Sequence, residues 1–370
     1  MYIHIPYCHK ACNYCNFHFS TNLTTIDKMV EAICMEIELK RNFLENPLIE
    51  TIYFGGGTPS VLSTNQLNQI IEKLHSVFTI SDNAEYTLEA NPEDLIKEKI
   101  HFWRHAGINR FSVGIQSFQE HSLKWMNRNH TSEDALNGIK RIQDAGIENI
   151  SIDLIYGLPD LSEALWKSEI QTAINLNVPH ISSYCLTVED KTALGHQVKK
   201  GLATPVSDEL SEMHFLILMK EMELAGYEHY EISNFCKPSF ESKHNTSYWK
   251  GVPYIGIGPG AHSYNLITRQ YNVSSNTEYI QQITNAKIPF TEEILTKEDR
   301  YNEYILTRLR TKWGILLNEI VQFEPPHLVE IQKLLLNYTE NGFISETEGV
   351  YRLSQKGKLF ADEITLHLMT

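Results

Sequence analysis

The stretch YIHIPYCHKACNYCNF, residues 2–17, sets a β-forming run directly against three cysteines, and its reading decides what the rest of the chain can be. Cys8, Cys12 and Cys15 stand as C-x3-C-x2-C in a chain with only six cysteines. Three chemistries bring thiols that close together. They are a disulfide with a spare thiol, a zinc site completed by a histidine, and an iron–sulfur cluster with one iron lacking a protein ligand. The N-terminal residues carry neither a basic segment nor an apolar signal-peptide core, so the expected compartment is the cytoplasm, where thiols stay reduced. That argues against a disulfide. Structural zinc normally closes four positions with two spaced pairs, and one compact group is present here, with His4, His9 or His18 available as a further ligand. A four-iron cluster held by three thiolates keeps an open coordination site, which is a chemical asset.

Outward from this loop, short β-rich runs alternate with helical stretches. After the first come IETIYFGGG (49–57), AEYTLEANP (84–92), NRFSVGIQS (109–117), NISIDLIYGLP (149–159) and HISSYCLT (180–187). Helical spacing of apolar residues marks 26–44, 66–78, 95–105, 132–144, 164–176 and 207–225. This alternation predicts an α/β fold with a parallel sheet and right-handed crossovers. Repeated units without a dinucleotide-binding glycine fingerprint favour a partial or complete TIM-like (β/α) barrel over a doubly wound sheet. Polar or glycine residues close most of the runs: Gly55 to Thr58, Glu89, Gln116, Asp153 and Thr187. Each alone would pass for a loop-entry residue, but together they map to the rim where such barrels keep their active sites.

A chain of 370 residues suggests two or three domains, and its 42% hydrophobic and 21% charged content is ordinary for a folded soluble protein. No stretch approaches the roughly 20 apolar residues of a membrane span. The net charge of -14 opposes attraction to phosphate backbones, so nucleic acid is not an expected partner. After about residue 290 the alternation gives way to helices, a short hairpin around ETEGVYRLS and a last helix, an α-rich, winged-helix-like pattern. Nine Lys or Arg against eleven Asp or Glu from Thr296 to Thr370 leave no basic face for DNA, so packing or a lid is its expected role. The expected division is a core barrel over 1–235, a connecting segment over 236–290 and the C-terminal domain over 291–370.

C-x3-C-x2-C at the end of a first strand resembles the radical S-adenosylmethionine (SAM) superfamily. Together YIHIPYC, FGGGTPS, EANPE, GIQSF, MNRNH and DLIYGLP resemble the family of oxygen-independent coproporphyrinogen III oxidases (dehydrogenases) and their heme-chaperone relatives, across nearly the whole chain. The resemblance implies a radical SAM-type barrel and a [4Fe-4S] cluster held by Cys8, Cys12 and Cys15. In that superfamily the unique iron chelates the methionine end of SAM. By the same resemblance Gly55, Gly56, Gly57 and Thr58 hold the methionine amino end, and the missing Cβ atoms let backbone approach a ligand closely. Tyr2 touches SAM, Tyr14 lies near the adenine, and Glu89 accepts from ribose hydroxyls. Gln116, Arg128 and Asp153 line the rest of that site, Arg128 being suited to a bidentate carboxylate pair.

Two features separate the branches of that family. The dehydrogenase branch carries a further cysteine two residues beyond the last cluster cysteine, where this chain has Phe17. It also folds an N-terminal extension over its active site, whereas here the first strand opens the sequence. KHNTSYWKG (243–251) matches the HNxxYW motif of the chaperone branch through His244, Asn245, Tyr248 and Trp249. Imidazole is a good iron ligand and aromatic faces suit a macrocycle, although the same residues could simply pack the loop down. His244 is the leading axial candidate for heme and His262 the second, while Cys34, Cys185 and Cys236 read as buried thiols. The resemblance therefore implies a cytoplasmic heme chaperone that binds the cluster, SAM and heme and delivers heme to apo-hemoproteins such as respiratory cytochromes. A flavodoxin or ferredoxin as electron donor, and a homodimer, are compatible with it. The alternative is an oxygen-independent coproporphyrinogen III oxidase that decarboxylates propionates to vinyls.

Overall fold

The computed structural model describes residues 1–370. Strand β1 (Tyr2–Ile5) leads through the cysteine loop to helix α1 (Ile26–Leu39). Then follow β2 (Leu48–Gly56) with α2 (Thr64–Val77), and β3 (Thr79–Ala90) with α3 (Lys97–His105). Next are β4 (Arg110–Gln116) with α4 (Glu120–Trp125) and α5 (Ser132–Asp144), then β5 (Ile150–Tyr156) with α6 (Glu163–Asn175). The last unit is β6 (His180–Cys185) with α7 (Ala193–Lys199) and α8 (Asp208–Leu224). Local chemistry fixes the helix starts. Ser63 and Gln66 form a reciprocal capping box at α2, as do Thr131 and Asp134 at α5. Leu67, Ile70, Ile71 and Leu74 then give α2 one apolar stripe, which is the face it buries.

Strands β1 to β6 pair in parallel and in sequence order. Beyond β6 the sheet continues antiparallel through β8 (Asn234–Cys236) to β7 (Glu228–Glu231). The chain then forms α9 (Lys243–Trp249) and returns as β9 (Gly256–Ile257), parallel to β1 at the opposite edge. The order β7-β8-β6-β5-β4-β3-β2-β1-β9 never closes on itself, so the barrel is partial rather than complete. Residues 236–290 thus add a strand to the barrel edge. They also supply β10 (His262–Tyr264), β11 (Thr268–Asn272), which pairs with β10 on one side and β12 (Phe290–Ile294) on the other, and the helix α10 (Asn276–Thr284).

A buried polar clamp ties this returning segment to α1. Glu36 accepts hydrogen bonds from the Gly258 amide at 2.7 Å, Asn272 Nδ2 at 2.6 Å and the Tyr279 hydroxyl at 2.5 Å, and it pairs with Lys40 at 3.0 Å. Lys40 in turn donates to the Gly256 carbonyl at 2.8 Å. Both charges are fully buried and fully partnered, the condition under which buried ions are tolerated.

The C-terminal part holds its own core around Tyr301, Ile305, Ile320, Ile331, Leu335 and Ile364. Its order is α11 (Lys297–Leu309), β13 (Ile315–Leu316), α12 (Leu317–Gln322), α13 (Leu328–Glu340), the hairpin β14 (Ile344–Thr347) and β15 (Val350–Leu353), α14 (Gln355–Lys358) and α15 (Ala361–Leu368). Strand β15 lies between β13 and β14, giving the winged-helix-like arrangement read from the sequence. It docks on the barrel through the Arg310–Glu231 ion pair, 2.6 Å, whose carboxylate is buried. No helix is long and apolar enough to cross a membrane.

Candidate functional site

The C-terminal ends of β1 to β6 open onto a cavity of about 290 Å³, and Cys8, Cys12 and Cys15 line one wall of it. The cysteine loop is fastened from both sides. Its backbone bonds to Ser20 and Met126, Asn13 donates to the Trp125 carbonyl at 2.7 Å, and Asn127 donates to the Ala11 carbonyl at 2.7 Å. Cys8 Sγ accepts from the Thr58 hydroxyl at 3.3 Å and Cys12 Sγ from Arg128 Nη1 at 3.4 Å. All six cysteines are free thiols. Burial pushes the Cys8 thiol up to about 11, so a bound cation is what would turn it into a thiolate at neutral pH.

No set of three His, Cys, Asp or Glu converges as an individual metal would require. His4, a sequence candidate for completing a zinc site, has both ring nitrogens engaged, with the Tyr2 hydroxyl at 3.0 Å and the His18 carbonyl at 3.0 Å.

The shelf beside the thiols is glycine for steric reasons. Gly56 has φ +109°, and a Cβ there would lie 2.5 Å from the His4 ring; one on Gly57 would lie 2.6 Å from the Tyr7 carbonyl oxygen. The Gly56 amide donates to Glu89 at 3.1 Å, and the Tyr53 hydroxyl donates to the same carboxylate at 2.7 Å. Burial pushes Glu89 up to about 7, against the Tyr53 hydrogen bond and helped by the nearby Asp153. Asp153, on β5 rather than at its end, is pushed up to about 6 by the same burial. Arg128 spans the mouth, donating to Asn91 Oδ1 at 2.8 Å and the Gly114 carbonyl at 2.7 Å, while its buried Nε has no partner. Gln116 sits at φ +73°, a strained position for a non-glycine residue, at the point where β4 ends. Tyr14, Gly57 and Thr58 line the same cavity, whereas Tyr2 lies one cavity further out.

Sequence reasoning overlooked the deeper wall, formed by Tyr53, Arg110, Ser112, Ser151, Ser182 and Tyr184. A signal for it was present. The strands read T-I-Y-F, Y-T-L-E-A, R-F-S-V-G-I-Q and S-I-D-L, alternating polar with apolar, whereas parallel strands covered on both faces are near-continuous apolar runs. Period-2 polarity in a parallel sheet means that its inner face lines an open, polar lumen.

The Radical SAM superfamily pattern matches residues 2–171, and the HemN C-terminal domain pattern matches residues 295–360. A protein of Bacillus subtilis named heme chaperone HemW is 36% identical over 369 residues, covering 98% of this chain and 97% of that protein. The chain belongs to the HemW family. A Lactococcus lactis HemW is 36% identical over 90% of this chain and 86% of its own length. Among solved structures, coproporphyrinogen III oxidase (HemN) from Escherichia coli, a radical SAM enzyme, shares the fold. Its TM-score is 0.87 at 21% identity, covering all of this chain and 89% of that one. Membership of the radical SAM superfamily implies a [4Fe-4S] cluster and SAM, and the thiol wall, glycine shelf and unpartnered Arg128 Nε fit both.

In this HemW-family chain a second cavity of about 500 Å³ adjoins the first, sharing Phe17, Tyr53, Gly56, Glu89 and Asn245 with it. Phe17 is 72% exposed. The HNxxYW residues divide among three places. Asn245 lines both of these cavities, His244 the second, Tyr248 the second and a third of about 560 Å³ beside the C-terminal domain, and Trp249 the third alone.

His244 departs from its expected role. It is buried, its Nδ1 is 2.8 Å from Thr51 Oγ1, its Nε2 is 3.0 Å from the Tyr248 hydroxyl, and its ring stacks on Tyr53 at 4.9 Å. Burial holds its pKa far below the usual imidazole value. Neither nitrogen is free for iron in this conformation, and the ring packs against Tyr53 and Tyr248. His262 is instead the exposed imidazole of the second cavity.

Proposed function

We propose that this protein is a heme chaperone on a radical SAM scaffold, acting in the cytoplasm. In this reading it carries a [4Fe-4S] cluster on Cys8, Cys12 and Cys15, holds SAM across the neighbouring shelf, and takes heme in the adjoining cleft for delivery to apo-hemoproteins such as respiratory cytochromes. The observation that carries the reading is the continuity of the thiol-walled cavity with a second one ringed by imidazole and aromatic side chains, in a chain matched end to end by relatives named heme chaperone.

Each residue has a role the geometry supports. Thr58 and Arg128 donate to cluster sulfurs and hold the loop at one distance from the shelf. Gly56 and Gly57 leave room for the methionine end of SAM, while Glu89 and Asp153 accept from ribose hydroxyls. Tyr14 covers the adenine, Tyr2 and Gln116 close the sides, and Arg128 balances the carboxylate. His262 offers iron an axial nitrogen, with Tyr248, Asn245 and Trp249 shaping the pocket and His244 bracing it. When bound, the cluster supplies an open iron site for SAM and a store for one electron, which a flavodoxin or ferredoxin would deliver. The oxidase alternative draws on the shared fold, but likeness at 21% identity carries fold alone, and Phe17 stands where that branch has its extra cysteine.

The test is paired. Anaerobically reconstituted protein should bind hemin saturably with a Soret band, pass it to an apo-cytochrome, and weaken that band in His262→Ala; size exclusion of the loaded protein reads any homodimer. Failure of saturable hemin binding sinks the chaperone reading. Formation of protoporphyrinogen and 5′-deoxyadenosine from coproporphyrinogen III would replace it with the oxidase.

A further inference from the structure

Arg110 is the anomaly of the lumen. Only 1% exposed, it is among the largest fully buried side chains, yet its Nε has no hydrogen-bond partner and no carboxylate within 4.0 Å forms an ion pair with it. A buried guanidinium carries five donors and a permanent charge, and although Glu89 and Asp153 attract it across the lumen, neither reaches it in an ion pair. The contrast within the molecule is direct: Lys40, equally buried, has Glu36 at 3.0 Å. Arg110 pairs in register with Thr87 on β3 and precedes Ser112 on the lumen side of β4. It therefore sits one layer below Glu89 and Ser112, on the floor of the cavity that the thiols wall above.

We propose that Arg110 is the floor of a carboxylate subsite inside the barrel, beneath the SAM shelf. A planar guanidinium matches a carboxylate bidentately. The surroundings select a single negative charge. Glu89 and Asp153 line the same cavity and repel a dianion, whereas the Ser112 and Ser151 hydroxyls can add hydrogen bonds to a monoanion. The arm comes from a propionate of the heme in the adjoining cavity, a source that rests on the chaperone reading, or from SAM itself, in which case Arg110 rather than Arg128 takes its carboxylate.

The experiment compares wild type with Arg110→Met and Arg110→Lys in the full, cluster-reconstituted chain. Three probes are titrated: hemin and hemin dimethyl ester by the Soret band, and SAM by calorimetry. Removing the guanidinium should weaken the carboxylate-bearing probe by at least about tenfold, the loss expected for one charged hydrogen bond. Loss of hemin with SAM unchanged, and with the ester binding both proteins alike, assigns a propionate; loss of SAM assigns its own carboxylate. Unchanged affinity for both hemin and SAM, or a Met variant that unfolds while Arg110→Lys binds as wild type, overturns the subsite. Wild type that binds no hemin sinks the chaperone reading and leaves the SAM titration to decide the subsite.

Discussion

Glu89 should weaken the empty fold in the same pH range in which it strengthens cofactor binding, and Glu89→Gln exposes both sides. The carboxylate receives the Tyr53 hydroxyl and the Gly56 amide, yet burial still lifts it to about 7. Between the unfolded carboxyl value of about 4.5 and about 7 the folded chain keeps a proton that the unfolded chain has lost, so this group's contribution to stability falls as pH rises through that window. Above it the full cost of a buried charge is present, about 3 kcal/mol for a carboxyl lifted from 4.5 to about 7, reduced to about 2 because one edge of Glu89 faces the cavity. Glu89→Gln should therefore melt about 2–6 °C above wild type near pH 8 in the metal-free chain, and no higher than wild type near pH 4.5. The neutral amide is a poorer acceptor for ribose hydroxyls, so SAM affinity of the reconstituted variant should drop by about tenfold near pH 8. Wild-type SAM affinity should also fall as pH drops below about 7. A variant no more stable than wild type near pH 8, or one that binds SAM equally well, refutes the reasoning.

Other substitutions test neighbouring parts of the account. Glu36→Gln leaves Lys40 buried without its charge partner and should cost about 3–5 kcal/mol in thermal or urea unfolding, whereas Glu36→Leu combined with Lys40→Met should lose less; equal losses would show that the pair itself is not the clamp. Gly57→Ala drives a methyl into the Tyr7 backbone, and the purified protein should retain little iron; normal iron content would mean that the shelf yields. His244→Ala removes a buried ring bonded to Thr51 and Tyr248 and should lower the melting temperature with or without heme, while His262→Ala should leave melting unchanged and shift the Soret band. The reverse pattern would return the axial role to His244.

Much of the architecture was legible because it is written in local pattern. Helix α5 (Ser132–Asp144) falls where apolar spacing put it, and β2 to β6 lie within a few residues of the runs that announced them. Helices α4 and α7, of six and seven residues, escaped notice because neither is long enough to display a helical period. Strand β9 is two residues long and has no signature of its own; it is held in place by Lys40, which donates to the Gly256 carbonyl, and by Glu36, which accepts from the adjoining Gly258 amide, both more than two hundred positions away. The site divides along the same line. Motif residues at strand ends gathered as expected around one cavity, because a strand end fixes where its side chain goes. His244 did not reveal its burial, since Thr51 and Glu85, which bind it, come from β2 and β3 far earlier in the chain. Arg110 reads as an ordinary charge at the start of a strand until the lumen closes round it.

The central claim is that three thiolates hold a four-iron cluster with one iron open to SAM. Electron paramagnetic resonance of the reduced, reconstituted chain, recorded before and after adding SAM, tests it most directly. The account predicts a [4Fe-4S] signal that changes on adding SAM and disappears in Cys12→Ser. A zinc-loaded, EPR-silent protein, or a cluster signal indifferent to SAM, would contradict it.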